Sequence, residues 1–263
     1  MNLRYGGTVV HSSRDELGPL EVVEDDSQRS LHFGTLPKQS SMSLAAPHAL
    51  VLGYTRAMAG ALLFNPGPRS ALLIGLGGGS LAKFLLHHFP DCRVDAVELR
   101  PAVARLAHAY FGLPEAEPRL AVHYGDAFAF VVGREGRFDY DLILIDAFDA
   151  HGMDRSVSEE TFFAACHDRL SPSGVLAINL WHDQKGRVRQ VLRTLGDASA
   201  GPALRLPVPH KGNLIGLTTR EPAPKRRLKG LDRVAAELEP RLQVGLPASL
   251  QGLRRANAFR LRP

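Results

Sequence analysis

The stretch 72–84, LLIGLGGGSLAKF, decides how the rest of the chain is read. Leu72, Leu73 and Ile74 run into Gly75, Leu76, Gly77, Gly78 and Gly79, and Ser80 opens an apolar-periodic segment beyond them. A strand, a glycine turn and a helix in that order form a nucleotide-binding turn. Glycines admit positive φ and a close backbone approach, and the helix start offers unpaired N–H groups to a ligand. No side chain in the loop is longer than Leu76 or Ser80, so residues further along must say which nucleotide.

Outward from this turn, strands and helices alternate. The runs ALLIGLG (71–77), RVDAVEL (93–99), LAVHYGD (120–126), YDLILIDAF (140–148) and GVLAINLW (174–181) read as strands. Between them lie the helical runs SLAKFLLHHF (80–89), PAVARLAHAYF (101–111), AFAFVVG (127–133) and SEETFFAACHDRL (158–170). Continuous apolar strands in alternation with helices predict a parallel sheet covered on both faces. Pro101 stands at a helix-starting position, and Ser158 is the expected N-cap of its helix. After the helix KGRVRQVLRTLGD (185–197), the runs ALRLPVP (203–209) and NLIGLTT (213–219) have no helix between them. They predict an antiparallel hairpin at the sheet edge.

Residues before the glycine turn read differently. The first 50 are short strands, with Asp25-Asp26-Ser27 at a hairpin tip. Helical spacing is expected over 41–64, and NPGPRS (65–70) is a linker. The C-terminal part offers one further helix, GLDRVAAELEPRL (230–242). The domain reading is an N-terminal β segment (1–50), a nucleoside-binding catalytic domain (51–220) and a basic helical tail (221–263).

Composition bounds the function classes. No run of ~18 apolar residues argues against a helical membrane span. The N-terminal MNLRYGGTVVHSS lacks an apolar signal core, so a cytoplasmic protein is expected. Cys92 and Cys166 have no metal-ligand spacing and read as structural thiols, with no metal expected. The net charge of +5 sits in the tail, where residues 221–263 hold ten Lys/Arg against four Asp/Glu. Without an RNA-binding signature that tail reads as a solvated basic face, not a nucleic-acid surface.

In such sheets a ligand lies outside the carboxyl ends of the strands, near the point where strand order reverses. The first strand delivers Gly75, Gly77, Gly78 and Gly79. The second ends in Glu98, a carboxylate able to accept both hydroxyls of a ribose. The third ends in Gly125, Asp126 and Ala127; Asp126 either accepts the exocyclic amine proton of an adenine or N-caps the next helix, and the two readings are compatible. The fourth gives Asp146 and Asp149. Two carboxylates at the end of a buried strand carry a desolvation cost unless a cation or donor meets them, which makes them the best catalytic candidates. A dinucleotide dehydrogenase would leave Asp126 and the Asp pair without a role, and Ser80 interrupts its third glycine.

Taken in order, these residues resemble the spermidine synthase (polyamine aminopropyltransferase) family over roughly 18–220. LEVVEDDSQRSLHFGTLPKQSSM (20–42) is similar to the family's N-terminal β segment with its glutamine, here Gln39. YTRAMAGALLFNP (54–66) is similar to the helix that presents an aromatic to the pocket, here Tyr54. VELR (97–100) matches the ribose site, YGDAFAF (124–130) the adenine site and DAFDAHGM (146–153) the paired-Asp signature. The fold this implies is α/β: a class-I methyltransferase-like Rossmann fold, mostly parallel with an antiparallel edge hairpin, plus a small N-terminal β extension. The activity it implies is transfer of an aminopropyl group from decarboxylated S-adenosylmethionine to a di- or polyamine. Asp146 would assist deprotonation of the attacking amine and Asp149 would hold the cationic substrate. The resemblance also implies a homodimer.

Three departures qualify the match. Family members read G-G-G-D-G-G at the loop, the acid meeting the amino end of the decarboxylated donor, and this chain has Gly78 at that place. Ala150 follows Asp149 where proline is common, and His210 and Lys211 stand where the family supplies a substrate-facing tyrosine. A lysine there would oppose a polycation. His151 and His182, near the same rim, read as surface residues. Two alternatives therefore stay open: methyl transfer from intact S-adenosylmethionine, and a non-catalytic nucleoside-binding relative.

Overall fold

The computed structural model of the chain describes residues 3–133, 139–149, 152–153, 158–181, 185–199, 201–221 and 227–258. Five strands come first, β1 (Leu3–Arg4), β2 (Gly7–Asp15), β3 (Gly18–Glu24), β4 (Gln28–His32) and β5 (Ser40–Ser43), paired antiparallel in chain order. Helix α1 (Gly53–Met58) runs on into a tighter turn over Ala59–Leu63. The alternating part follows: β6 (Ser70–Ile74), α2 (Ser80–His88), β7 (Arg93–Glu98), α3 (Pro101–Phe111), β8 (Leu120–Tyr124), α4 (Ala127–Gly133) and β9 (Tyr140–Ile145). A two-residue hairpin, β10 (Phe148–Asp149) with β11 (Gly152–Met153), leads to α5 (Glu160–Asp168), β12 (Leu170–Trp181), α6 (Lys185–Asp197), β13 (Leu204–Pro207) and β14 (Asn213–Thr219). Helices α7 (Arg227–Leu242) and α8 (Leu246–Ala256) end the described chain.

The main sheet has seven strands in the order β13-β14-β12-β9-β6-β7-β8. β12, β9, β6, β7 and β8 are parallel, while β14 runs antiparallel to both β12 and β13. The expected mostly parallel sheet with an antiparallel edge hairpin is therefore what the chain forms. Strand order reverses between β6 and β9.

Period-two alternation explains the two cores. Ala71 and Leu73 of β6, with Leu142 and Leu144 of β9, face α1, α2, α7 and α8. Leu72 and Ile74, with Ile143 and Ile145, face α5 and α6 on the other side. A third cluster joins Leu20, Val22, Leu31 and Phe33 of the N-terminal sheet to Val103 and Phe111 of α3. This packing sets the five-stranded sheet over the carboxyl edge of the main one.

Three expectations are corrected. Helix does not begin at 41: Ser40–Ser43 pairs with β4, and Pro47 breaks the segment until Gly53. The N-cap of α5 is Glu159, with extended backbone, and not Ser158. The C-terminal part holds two helices, and Leu231, Leu242, Leu246, Leu250 and Leu253 enter the same core as β6 and β9. Glu239 of α7 accepts the N–H groups of Gly245 (2.9 Å) and Leu246 (2.6 Å), capping α8 from outside. Cys92 and Cys166 are buried free thiols, and burial pushes Cys92 up to about 12.

Asn257, fully buried, fastens α8 to the sheet edge. Its Oδ1 accepts from the N–H of Arg205 at 3.1 Å and its Nδ2 donates to the Arg205 carbonyl at 2.9 Å. Truncation leaves both groups without that partner, at about 1–3 kcal/mol for a buried polar group left unmet. Asn257→Ala is expected to lower the unfolding free energy by that amount, seen in urea as a lower midpoint at an unchanged slope. A change below 0.5 kcal/mol would show that water replaces the amide.

Candidate active site

A cavity of about 500 Å³ opens at the carboxyl ends of β6, β7, β8 and β9, beside the reversal of strand order. Its walls include Gly75 and Gly77 from the loop, Glu98 at the end of β7, and Gly125, Asp126 and Ala127 after β8. Asp146 closes it after β9, Gln39 comes from the N-terminal segment, and Tyr54 from α1. The residues proposed from six separate places in the sequence thus meet around one space.

Gly78 and Gly79 do not form its wall. A Cβ on Gly78 would lie 2.8 Å from both Phe111 Cδ1 and Ser40 Oγ, so this position faces packed protein. Gly79 takes φ +70° as the N-cap of α2, beside Leu113. The loop leaves the cavity wall at Gly78 and Gly79 and rejoins it at Ser80. Gly75 has another requirement: a Cβ there would stand 2.3 Å from the carbonyl oxygen of Asp146.

Glu98 is 8% exposed and does more than face the cavity. Its Oε2 accepts from the N–H of Leu76 at 3.0 Å and of Gly77 at 3.4 Å, and its Oε1 from Arg100 N–H at 2.9 Å. Burial raises its pKa, while the same three N–H groups oppose the rise. Each carboxylate oxygen has further lone-pair capacity, so the group can still receive a ribose hydroxyl. Asp126 N-caps α4, its Oδ1 accepting from Ala129 N–H at 2.7 Å, and it lines the cavity as well.

Asp146 is the chemical centre of the cavity. Burial lifts its carboxyl from an ordinary 3.8 to about 6, opposed by hydrogen bonds from Asn179 and Tyr54. Asn179 Nδ2 donates to Asp146 Oδ1 at 2.9 Å, and Asn213 Nδ2 donates to Asn179 Oδ1 at 3.0 Å. The Tyr54 hydroxyl donates to the Gln39 carbonyl at 3.3 Å, and burial with the nearby Asp146 charge holds it well above its usual pKa. The phenol therefore stays protonated.

Asn179, Asn213, Lys38 and Arg187 are wall residues that the sequence reading missed. The signal for Asn179 was present, an amide inside the apolar run LAINL. His210 and Lys211, expected to face a substrate, lie exposed in the β13–β14 turn and outside the cavity wall. Asp149 is described by its backbone, paired with Gly152 in the short hairpin, and its side chain falls outside the described residues. Ala150, His151 and His182 lie outside the described residues too.

A spermine/spermidine synthase domain model matches residues 52–200. A polyamine aminopropyltransferase of Chromobacterium violaceum is 34% identical over 94% of both chains. The chain belongs to the spermine/spermidine synthase family. A Neisseria meningitidis polyamine aminopropyltransferase is 32% identical over 90% of this chain and 89% of its own. The human eEF1A lysine and N-terminal methyltransferase is 32% identical, but over 58% of this chain and 24% of its own length. Among solved structures, a probable spermidine synthase from Corynebacterium glutamicum shares the fold, with a TM-score of 0.74, 20% identity and 87% of each chain covered. A spermidine synthase in complex with the transition state analogue AdoDATO also shares it, with a TM-score of 0.72, 17% identity, and 95% of this chain and 88% of its own covered. As a member of this family the chain is an enzyme of the spermidine synthase class.

Glu98 can be tested apart from turnover. In Glu98→Gln one carboxylate end becomes an NH₂ that faces a backbone N–H, donor against donor. The expected cost is about 1–3 kcal/mol of folding stability in urea, together with weaker nucleoside binding by calorimetry. Full stability with weak binding would assign Glu98 to the ligand alone.

Proposed function

We propose that this protein transfers an aminopropyl group from decarboxylated S-adenosylmethionine to an amine of a di- or polyamine. The observation that carries the reading is Asp146, a buried carboxylate inside the cavity with its pKa lifted to about 6. The walls suit the donor: glycine backbone at Gly75 and Gly77, the Glu98 carboxylate for a ribose, and Gly125 to Ala127 for an adenine. The donor supplies a methylene activated by an adjacent sulfonium, and the rest is positioning and proton removal.

An ammonium has no lone pair, so the acceptor must lose a proton before or as it attacks. Ionised Asp146 attracts the cation, and the carboxylate takes the proton. The amine lone pair forms the new C–N bond as the C–S bond breaks, and that electron pair leaves on the sulfur of methylthioadenosine. Asn179 keeps Asp146 aimed, and Tyr54 supplies a neutral wall beside it. Holding the amine in line contributes through proximity. Asp149 holds the cationic substrate in this reading, a role that rests on the resemblance of DAFDAHGM. The same reading carries a cytoplasmic homodimer with it.

A second reading, methyl transfer, has one observation in its favour. Lys38 and Arg187 bring cations to the cavity wall, and these suit the carboxylate of intact S-adenosylmethionine. Mass spectrometry with each donor and a panel of di- and polyamines separates the readings. Methylthioadenosine with an acceptor heavier by one aminopropyl group is the expected result. S-adenosylhomocysteine with a methylated acceptor would overturn it, and nucleoside binding without turnover would mean a non-catalytic relative.

Two further outcomes follow from Asp146. With a pKa about 6, its base form falls roughly tenfold per pH unit below that value, and kcat/KM should fall with it. Asp146→Asn should lower kcat by ~10²–10⁴ at pH 8 while leaving methylthioadenosine affinity nearly intact. An unchanged acid limb in that variant would move the base elsewhere.

A further inference from the structure

Outside the cavity, three histidines meet at the far end of α2. His87 and His88 occupy its last turn, and His48 comes from the segment between β5 and α1. One ring nitrogen from each lies within 4.8 Å of the other two. The rings of His48 and His87 stack with centroids 3.6 Å apart, and His88 meets them edge-on at 5.7 Å and 4.7 Å. His48 and His88 are half-buried and His87 is exposed, so the group is open on one side. None of the three forms a side-chain hydrogen bond among the described residues. Three imidazoles whose nitrogens share one small volume form a candidate donor set for a metal ion.

We propose that His48, His87 and His88 bind a borderline first-row divalent cation, Zn²⁺ foremost, through three imidazole nitrogens with the fourth position open to water. Imidazole suits Zn²⁺, Ni²⁺ and Cu²⁺, whereas the harder Mg²⁺ and Ca²⁺ take oxygen ligands. Tetrahedral Zn–N bonds of about 2.0–2.1 Å place ligand nitrogens about 3.4 Å apart. Ring rotations therefore draw the three nitrogens together by an ångström or so, which an open, exposed His87 permits. The site also sits at the C-terminal end of α2, where the helix dipole favours a cation.

The neighbouring positive charges are tied elsewhere. Lys83 donates to the carbonyl of Phe111, and Arg241 donates to the carbonyl of His88 with its guanidinium 4.8 Å over the Phe89 ring. Their proximity weakens the site and sets the expected affinity at micromolar. A bound ion would tie the end of the helix that starts at the glycine loop to the segment that enters α1, the helix of Tyr54. The site is thus a staple beneath two walls of the cavity, made from residues that do not line it.

The test uses the full chain without an affinity tag, because a tag would add imidazoles. Calorimetric titration with ZnCl₂ should give one equivalent per chain. Co²⁺ should give the visible absorption of a tetrahedral site, displaced by Zn²⁺. His87→Ala, at the exposed ring, and His48→Ala should each weaken Zn²⁺ at least tenfold, while His210→Asn in the β13–β14 turn should not. Zn²⁺ should raise the melting temperature of the parent chain and not of His87→Ala. An absence of binding at 100 µM Zn²⁺, or one-equivalent binding that survives His87→Ala, would overturn the site and leave three packed histidines.

Discussion

The site depends on how closely two backbones pass. Where strand order reverses, the chain leaving β6 crosses the chain leaving β9, and Gly75 lies against the Asp146 carbonyl with no room for a Cβ. Asp146 N–H donates to Ile74 O at 2.7 Å on one side, and Gly75 N–H donates to Val97 O at 2.9 Å on the other. Glu98 then holds the next two amides of the loop. The glycine turn, Glu98 and Asp146 are therefore joined in one hydrogen-bonded piece. Any side chain at 75 would part the strands and move the Asp146 carboxylate.

The electrostatics of Asp146 follow from the same tightness. Its folded pKa is raised, so its contribution favours the folded state fully below the ordinary value of 3.8 and is lost as pH rises through about 6. At neutral pH the protein holds a charge it would be more stable without. Asn179 limits that cost, and Asn213 fixes Asn179: with its Oδ1 accepting from Asn213, only the NH₂ end can face the carboxylate. A two-amide relay thus reaches Asp146 from β14, the antiparallel strand beyond β12. The edge hairpin helps position a cavity carboxylate and is not simply the end of the sheet.

Much of this was legible in the sequence because the signals are local. Apolar runs marked β6 and β9, and the carboxylates at the ends of β7, β8 and β9 marked Glu98, Asp126 and Asp146. The failures have equally specific causes. Ser40–Ser43 forms a strand because β4 offers an unpaired edge, a tertiary fact that helical spacing cannot report. Helix α8 carries Leu246, Leu250 and Leu253 at helical spacing, but its arginines drew attention to charge. Gly78 looked like its neighbours, yet its environment is Phe111, more than thirty positions away. Lys38 and Arg187 reach the cavity from segments with no motif of their own.

The N-terminal sheet supplies the last constraint. Ser40 Oγ meets Ser80 Oγ at 3.2 Å, Gln39 O receives Tyr54, and Arg100 pairs with Asp15 at 2.6 Å while covering the Phe33 ring. These contacts press β5 and α3 onto the glycine loop. The pressing explains the departure from G-G-G-D-G-G better than a simple lost acid would. With Phe111 and Ser40 packed against Gly78, no side chain can extend from that position without displacing a buried ring. An acid at this position and this packing are mutually exclusive here. Lys38 and Arg187 instead bring cations to the cavity wall from other segments.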